Sequence, residues 1–235
     1  QVVRSVSTWS AGVEDTESSI LHAYMDNIRR AKHYIYIENQ FFISCADPNG
    51  EERFLNNRIA HEIVERIFQA HSNKEVFRVY VLLPLLPAFE GNIGTSTGIA
   101  MQYILYWNYI TISRGKECLI EQLKAKGITE WQNYISFCSL RGWDTLEDTI
   151  VSELIYIHSK LMIIDDRLVI AGSANINDRS MIGDRDSEVC LVIQDEEFKD
   201  GVMNLKFVCF CGSFFLFLFP LIYLLHWYKK MCKNF

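Results

Sequence analysis

The chain has 235 residues, is 49% hydrophobic and carries a formal net charge of −6. Four lysines and no acid lie from Met203 onward, so residues 1–202 hold the other 19 basic and all 29 acidic groups, a net of −10. Such a length supports one substantial core with an appendage, and an acidic body argues against general nucleic-acid binding, which needs a basic stripe.

Residues Asp15 to Lys32 predict an amphipathic helix, with Ile20, Tyr24, Ile28 and Ala31 on one face and Arg29, Arg30 and Lys32 near its C-terminal end, where cations suit the helix dipole. His33 to Glu38 predicts a strand that runs out into Glu38, Asn39 and Gln40. On residue pattern alone these three are loop-capping groups. Ala46 to Glu51 is a turn-rich loop, Phe54 to His71 a helix and Val76 to Leu83 a buried strand. Residues 84–91 are irregular and apolar. The Gly/Thr/Ser-rich run 91–98 lacks a P-loop lysine and takes no nucleotide role. Ile99 to Ser113 predicts an aromatic helix that belongs in the core, and Glu117 to Lys126 a short helix ended by Gly127. Tyr134 to Cys138 is a strand, and Arg141 to Glu147 a loop leading into the central motif.

That motif begins in the β-branched run Leu154 to Ile164, which predicts a buried strand. Side chains two apart on a strand share a face, so His158 and Lys160 are expected to project together with Tyr156 and Met162. Asp165-Asp166-Arg167 is a polar turn, and Leu168 to Ala171 returns as a second strand ending at Gly172-Ser173. An imidazole beside an ammonium, facing a Gly-Ser turn, makes an anion site in which the imidazole would act as nucleophile or proton carrier. Ile176 to Asp186 is polar and opens with a helical turn, and Ser187 to Gln194 is the last strand. Strands alternating with helices give an α/β layer structure with a mixed sheet flanked by helices.

Seven scattered cysteines without C-x-x-C pairs or zinc-type histidine spacing indicate free thiols in a reducing compartment. The chain starts at Gln1 and not at a methionine, which points to a fragment or a processed form. Residues 203–235 form a separate tail. Within it Phe207 to Leu225 is 19 residues without a charge, followed by Trp227, Tyr228 and two lysines, so 207–228 is a candidate membrane span.

The string HSKLMIIDDRLVIAGSANINDRS, followed by Ser187-Glu188, resembles the HKD motif of the phospholipase D superfamily, H-x-K-x4-D-x6-G-S-x-N, with every fixed position at its spacing. The segment IYIENQFFIS is similar to one shared by eukaryotic phospholipases D, and the resemblance covers nearly all of residues 1–202. It implies a single phospholipase D-like lobe equivalent to the C-terminal catalytic half. Two such lobes would each supply one HKD set, and the chemistry would be metal-free, need no cofactor and run through a phosphohistidine. It further implies that His158 belongs to the second set and is the general acid/base. Lys160 and Asn175 would bind phosphate oxygens and Ser173 would support that site. Asp165 would order the motif, Glu188 would hold the far nitrogen of His158, and Glu38, Asn39 and Gln40 would wall the site.

The expected activity is hydrolysis of phosphatidylcholine to phosphatidic acid and choline, with transphosphatidylation. The expected partners are a phospholipid membrane surface, at the cytoplasmic face of intracellular or plasma membranes, and a second HKD half. No nucleic acid is expected. His22, His33, His61, His71 and His226 all lack a lysine two residues on, so this chain holds one HKD set and by itself should be nearly inactive. The alternatives are a single-motif homodimer acting on cardiolipin or nucleic acid, and an inactive membrane-tethered fragment.

Overall fold

A mixed sheet of eight strands organises the chain. The computed structural model describes residues 1–50 and 55–195, together with the backbone of 198–203 and 206–211. In chain order the elements begin with β1 (Val2–Val6), α1 (Thr8–Ala11), β2 (Glu17–Ser18), α2 (Ser19–Arg30) and β3 (Tyr34–Glu38). They continue with α3 (Ile59–Ser72), β4 (Arg78–Leu82), α4 (Ile99–Ile112), α5 (Leu119–Ala125) and β5 (Ile135–Cys138). Next come β6 (Arg141–Leu146), β7 (Thr149–Leu154), β8 (Leu161–Ile164), β9 (Leu168–Gly172), α6 (Asp178–Met181) and β10 (Glu188–Gln194). The sheet order is β2-β1-β10-β9-β8-β3-β4-β5. β3, β4 and β5 run parallel through helical crossovers, as parallel neighbours must, and the other pairs are antiparallel.

The period-2 alternation of the strands sorts the core into two layers. Ile35 and Ile37 of β3, Val79 and Val81 of β4, and Met162 and Ile164 of β8 join Ile20, Tyr24 and Ile28 of α2 and Ile59, Ile63 and Ile67 of α3 in the main core. Tyr36, Leu82, Ile163 and Val169 point the other way, into a smaller cluster with Ile157. The apolar stripes of α2 and α3 recur at three- and four-residue intervals, which is why they lie against the sheet.

Three expectations are corrected. The strand expected from Leu154 to Ile164 is regular only from Leu161, and residues 155–160 form neither helix nor strand. β3 ends at Glu38, the partner of Leu161, so upstream of Leu161 the chain has lost its β3 partner and meets β9 through the Gly172 N–H, which donates to the Lys160 carbonyl (3.1 Å). The loop expected over 141–147 is instead one arm of an exposed hairpin, β6–β7, separate from the main sheet. The aromatic helix α4 is not core: only Met101 and Thr111 are buried, while Tyr103 is 64% exposed and Tyr106 and Tyr109 are also exposed. It is docked by polar hooks, Asn108 Oδ1 accepting from the Phe42 N–H (2.9 Å) and Thr111 Oγ1 from the Ser44 N–H (3.1 Å).

β1, not foreseen, forms the partner of β10. In the tail, β11 (Phe198–Met203) and β12 (Lys206–Cys211) pair with each other, so residues 207–211 of the candidate span are extended, not helical. Residues 212–228 of that span lie outside the described residues. No helix among the described residues is long and apolar enough to cross a membrane.

Candidate active site

The β8–β9 hairpin carries one end of the motif at its turn and the other at its base. At the turn, Asp165 and Asp166 both take left-handed backbone angles (φ 54° and 55°), a conformation that Asp tolerates better than most residues, in a loop of Asp165, Asp166 and Arg167 that returns the chain with Ile164 opposite Leu168. The Asp165 carboxylate accepts three backbone N–H groups, from Lys32 (2.6 Å), His33 (2.7 Å) and Tyr34 (2.9 Å). It thereby pins the α2–β3 connection to the hairpin. Four strand residues, roughly 13 Å at 3.3 Å each, separate it from the His158 end, so it orders the motif from a distance. Asp166 accepts the Tyr34 hydroxyl (2.6 Å). Burial pushes its carboxyl above the usual range, the Tyr34 hydrogen bond works against that shift, and the Asp165 charge adds to it.

At the base, the irregular segment 155–160 separates the His158 and Lys160 side chains instead of setting them on one strand face. The His158 ring is exposed and lies 5.6 Å from that of Tyr156. Lys160 turns inward and is 8% exposed; its ammonium donates to the His158 carbonyl (2.7 Å) and to Gln40 Oε1 (3.3 Å). Both acceptors are neutral, and among the described residues no carboxylate lies within ion-pair distance of this buried cation. Burial depresses its pKa and the Glu188 charge partly restores it.

Sheet ends and loops knit the remaining residues to this pair. Ser159 donates to Glu38, whose other oxygen accepts the Tyr36 hydroxyl (2.6 Å), so Glu38 anchors the backbone immediately after His158. Asn39 is fully buried; its Oδ1 accepts from Phe41 and Ile176 N–H and its Nδ2 reaches the Ala174 carbonyl. It thus brackets Asn175, which is half-buried, with Oδ1 enclosed and unpartnered. The Ser173 hydroxyl exchanges hydrogen bonds with the Val189 backbone, fixing the Gly-Ser turn on β10. Glu188 does not engage His158: its Oε1 accepts the Ser180 hydroxyl (2.7 Å). Ser180 is in turn placed by Asn177, which caps α6. Ser159, Ser180 and Tyr36 went unnoticed in the sequence. The N-cap pattern Asn177-x-x-Ser180 was the available signal for Ser180.

Asn175 also stands at the polar wall of a cavity of about 700 Å³ whose apolar lining includes Phe41, Phe89, Ile104, Trp107 and Ile182. Among the described residues no three His, Cys, Asp or Glu side chains converge as a metal-binding group.

Gly172 is required by close approach, because a Cβ there would overlap the Val189 carbonyl oxygen and Cys190 Cα on the neighbouring strand. Gly172→Ala should therefore destabilise by about 3 kcal/mol. The measurement is the urea midpoint; an unchanged midpoint would mean that β9 and β10 part at little cost to admit a methyl group.

The phospholipase D family model matches residues 4–153 and 149–197. Phospholipase D2 of Bos taurus is 54% identical over 204 residues, 87% of this chain and 21% of that protein. Phospholipase D1 of Mus musculus is 52% identical over 206 residues, 88% of this chain and 19% of that protein. The chain thus spans about a fifth of the length of these relatives. Among solved structures, phosphatidylserine synthase of Haemophilus influenzae superposes with a TM-score of 0.48 at 12% identity, covering 84% of this chain and 34% of that one. With a family model matched over most of its length, and half its residues identical to those of these relatives over that span, the chain belongs to the phospholipase D family.

Proposed function

We propose that this chain is one catalytic lobe of a phosphodiesterase that hydrolyses phosphatidylcholine to phosphatidic acid and choline, supplying the second of two HKD sets. The observation that carries this is the Lys160 ammonium, buried with only neutral acceptors, one of them the backbone carbonyl of His158, whose ring is exposed. A buried cation lacking an anion is unfavourable until one arrives, and a phosphodiester oxygen is that anion. The enclosed, unpartnered Asn175 Oδ1 is a second buried polar atom of the motif.

In the proposed reaction an imidazole from the opposing lobe attacks phosphorus, and the bond to the choline oxygen breaks. Protonated His158 gives its proton to that oxygen. Neutral His158 then takes a proton from water, whose oxygen displaces the histidine and releases phosphatidic acid; a primary alcohol in place of water yields a transphosphatidylation product. The two-step route replaces one high barrier with two lower ones. Lys160 holds the non-bridging oxygens throughout. The apolar cavity next to Asn175 favours a lipid over a nucleic acid, as does the acidic body. The exposed aromatic face of α4 suits a position against the cytoplasmic face of a membrane.

One HKD set supplies one side of an in-line displacement. The test is transphosphatidylation to a primary alcohol by the chain alone and by the chain mixed with a separately made N-terminal HKD half, with His158→Ala as control. Turnover is expected only in the mixture, with a loss of about 10³-fold or more in the variant. Turnover by the chain alone would point to a homodimer, and silence in both would refute the lobe assignment.

A further inference from the structure

At the end of the sheet opposite His158, the acidic body opens a basic cleft. Its volume is about 580 Å³, and its lining includes Arg29, Arg30, Lys32, His33, Arg66 and Glu75. We infer that this cleft is a binding site for a phosphate-bearing anion, separate from the HKD site.

The cleft floor, the connection between α2 and β3, is held from both sides. Asp165 takes the N–H groups of Lys32, His33 and Tyr34. Arg66 donates from Nε to the Ala31 carbonyl (2.6 Å) and from Nη2 to the Lys32 carbonyl (3.3 Å). With its backbone committed, this strap presents the Lys32 and His33 side chains to solvent next to Arg30. A rigid floor lowers the ordering cost of capturing a ligand.

Charge accounting within the cleft leaves a positive surplus. Arg29 is bound by Glu62 and Asp26. Glu75, the one carboxylate in the lining, is shared between Arg66 Nη2 (3.0 Å) and Asn73 Nδ2 (3.1 Å). Arg30 and Lys32 have no acidic partner among the described residues. Arg66, only 5% exposed, keeps its Nη1 without any hydrogen-bond acceptor and stacks its guanidinium on Phe77 (4.2 Å). A buried guanidinium with an unsatisfied N–H is unusual in a folded protein. The two unneutralised cations at the rim, Arg30 and Lys32, above a floor that Arg66 holds in place, mark a place for a multiply charged oxyanion. The negative end of the α2 dipole suits Arg29, Arg30 and Lys32, and Arg66 is held by the Ala31 and Lys32 carbonyls and Glu75, but this leaves Arg30 and Lys32 without a counter-anion among the described residues. The inference holds whether or not the HKD site turns over phosphatidylcholine.

The test uses the full chain carrying Lys160→Met, which removes the ammonium of the HKD site. Inorganic phosphate is titrated while the backbone amide resonances of Lys32 and His33 are followed. In a second arm, vesicles of phosphatidylcholine with and without phosphatidic acid are co-sedimented with the protein. Saturable shifts at Lys32 and His33 are expected, weakened about tenfold by Arg30→Gln/Lys32→Gln at unchanged Tm. Soluble phosphate that saturates the site without vesicle capture identifies a free anion. Capture that depends on phosphatidic acid and is lost in the double variant identifies a lipid headgroup. Phosphate affinity or vesicle capture indifferent to the double variant would overturn the inference.

Discussion

Lys160→Met is expected to cut phosphodiester turnover by about 10²- to 10³-fold, equivalent to about 3–4 kcal/mol of transition-state stabilisation, while leaving the fold in place. Among the described residues the ammonium is the one buried cation at the site, and its protein partners are the His158 carbonyl and Gln40 Oε1. Methionine fills a similar volume without the charge. Its loss leaves two acceptors unbonded, a penalty of about 1–3 kcal/mol each at most. Removing an uncompensated buried charge offsets much of that. A distinctive signature lies in pH. Burial holds the Lys160 pKa below the ordinary lysine value of 10.5, with the Glu188 charge opposing. The folded state therefore binds this proton less tightly than the unfolded chain does. Wild-type stability should rise as pH climbs from that depressed value to 10.5, relative to the methionine variant, which lacks the group. Urea denaturation of both proteins across that window, read as the difference between them, checks it. Parallel curves would mean that Lys160 is solvated, and undiminished turnover would remove it from the site.

Much of this was legible because period and turn chemistry speak locally. The alternation in Tyr34–Glu38 and Leu161–Ile164 and the two aspartates at the hairpin tip led directly to β3, β8 and their turn. What stayed hidden depends on partners distant in the chain. β1 is five residues whose mate, β10, lies almost at the other end of the described chain, with Val2 opposite Leu191. Residues 155–160 continue an apolar run that contains Ile155 and Ile157, yet β3 ends at Glu38, opposite Leu161, and offers them no partner on that side, so the His158 and Lys160 side chains diverge. One is exposed and the other buried. α4 is apolar on every side, so periodicity cannot say which face docks. Asn108 and Thr111 turn inward and the tyrosines outward. The motif string named Glu188 as a histidine holder, whereas the nearer hydroxyl of Ser180 takes its carboxylate.

Asp165→Ala should lower stability by about 3 kcal/mol or more, the largest single-residue loss expected away from the main core. Three charge-assisted bonds converge on this carboxylate. Each such bond is worth about 1.5–3 kcal/mol when buried, but water can replace part of them at this half-exposed turn, so the sum is discounted to about 2 kcal/mol. Alanine at φ 54° adds about 1 kcal/mol of backbone strain. Two companion variants separate the contributions. Asp165→Gly relieves the strain and should recover about 1 kcal/mol. Asp165→Asn keeps Oδ1 for the His33 and Tyr34 N–H groups and turns an amide N–H toward Lys32, so it should lose only about 1 kcal/mol. The order wild type, Asn, Gly, Ala in urea midpoint checks this. Since Asp165 stands at the other end of β8 from His158, folded Asp165→Asn protein should turn over substrate within a few-fold of wild type. A loss of 10²-fold or more at unchanged stability would instead bring this carboxylate into the chemistry. That result would require the β8–β9 hairpin to move between the free and the substrate-bound lobe, because its turn is tied to the α2–β3 connection and not to the imidazole.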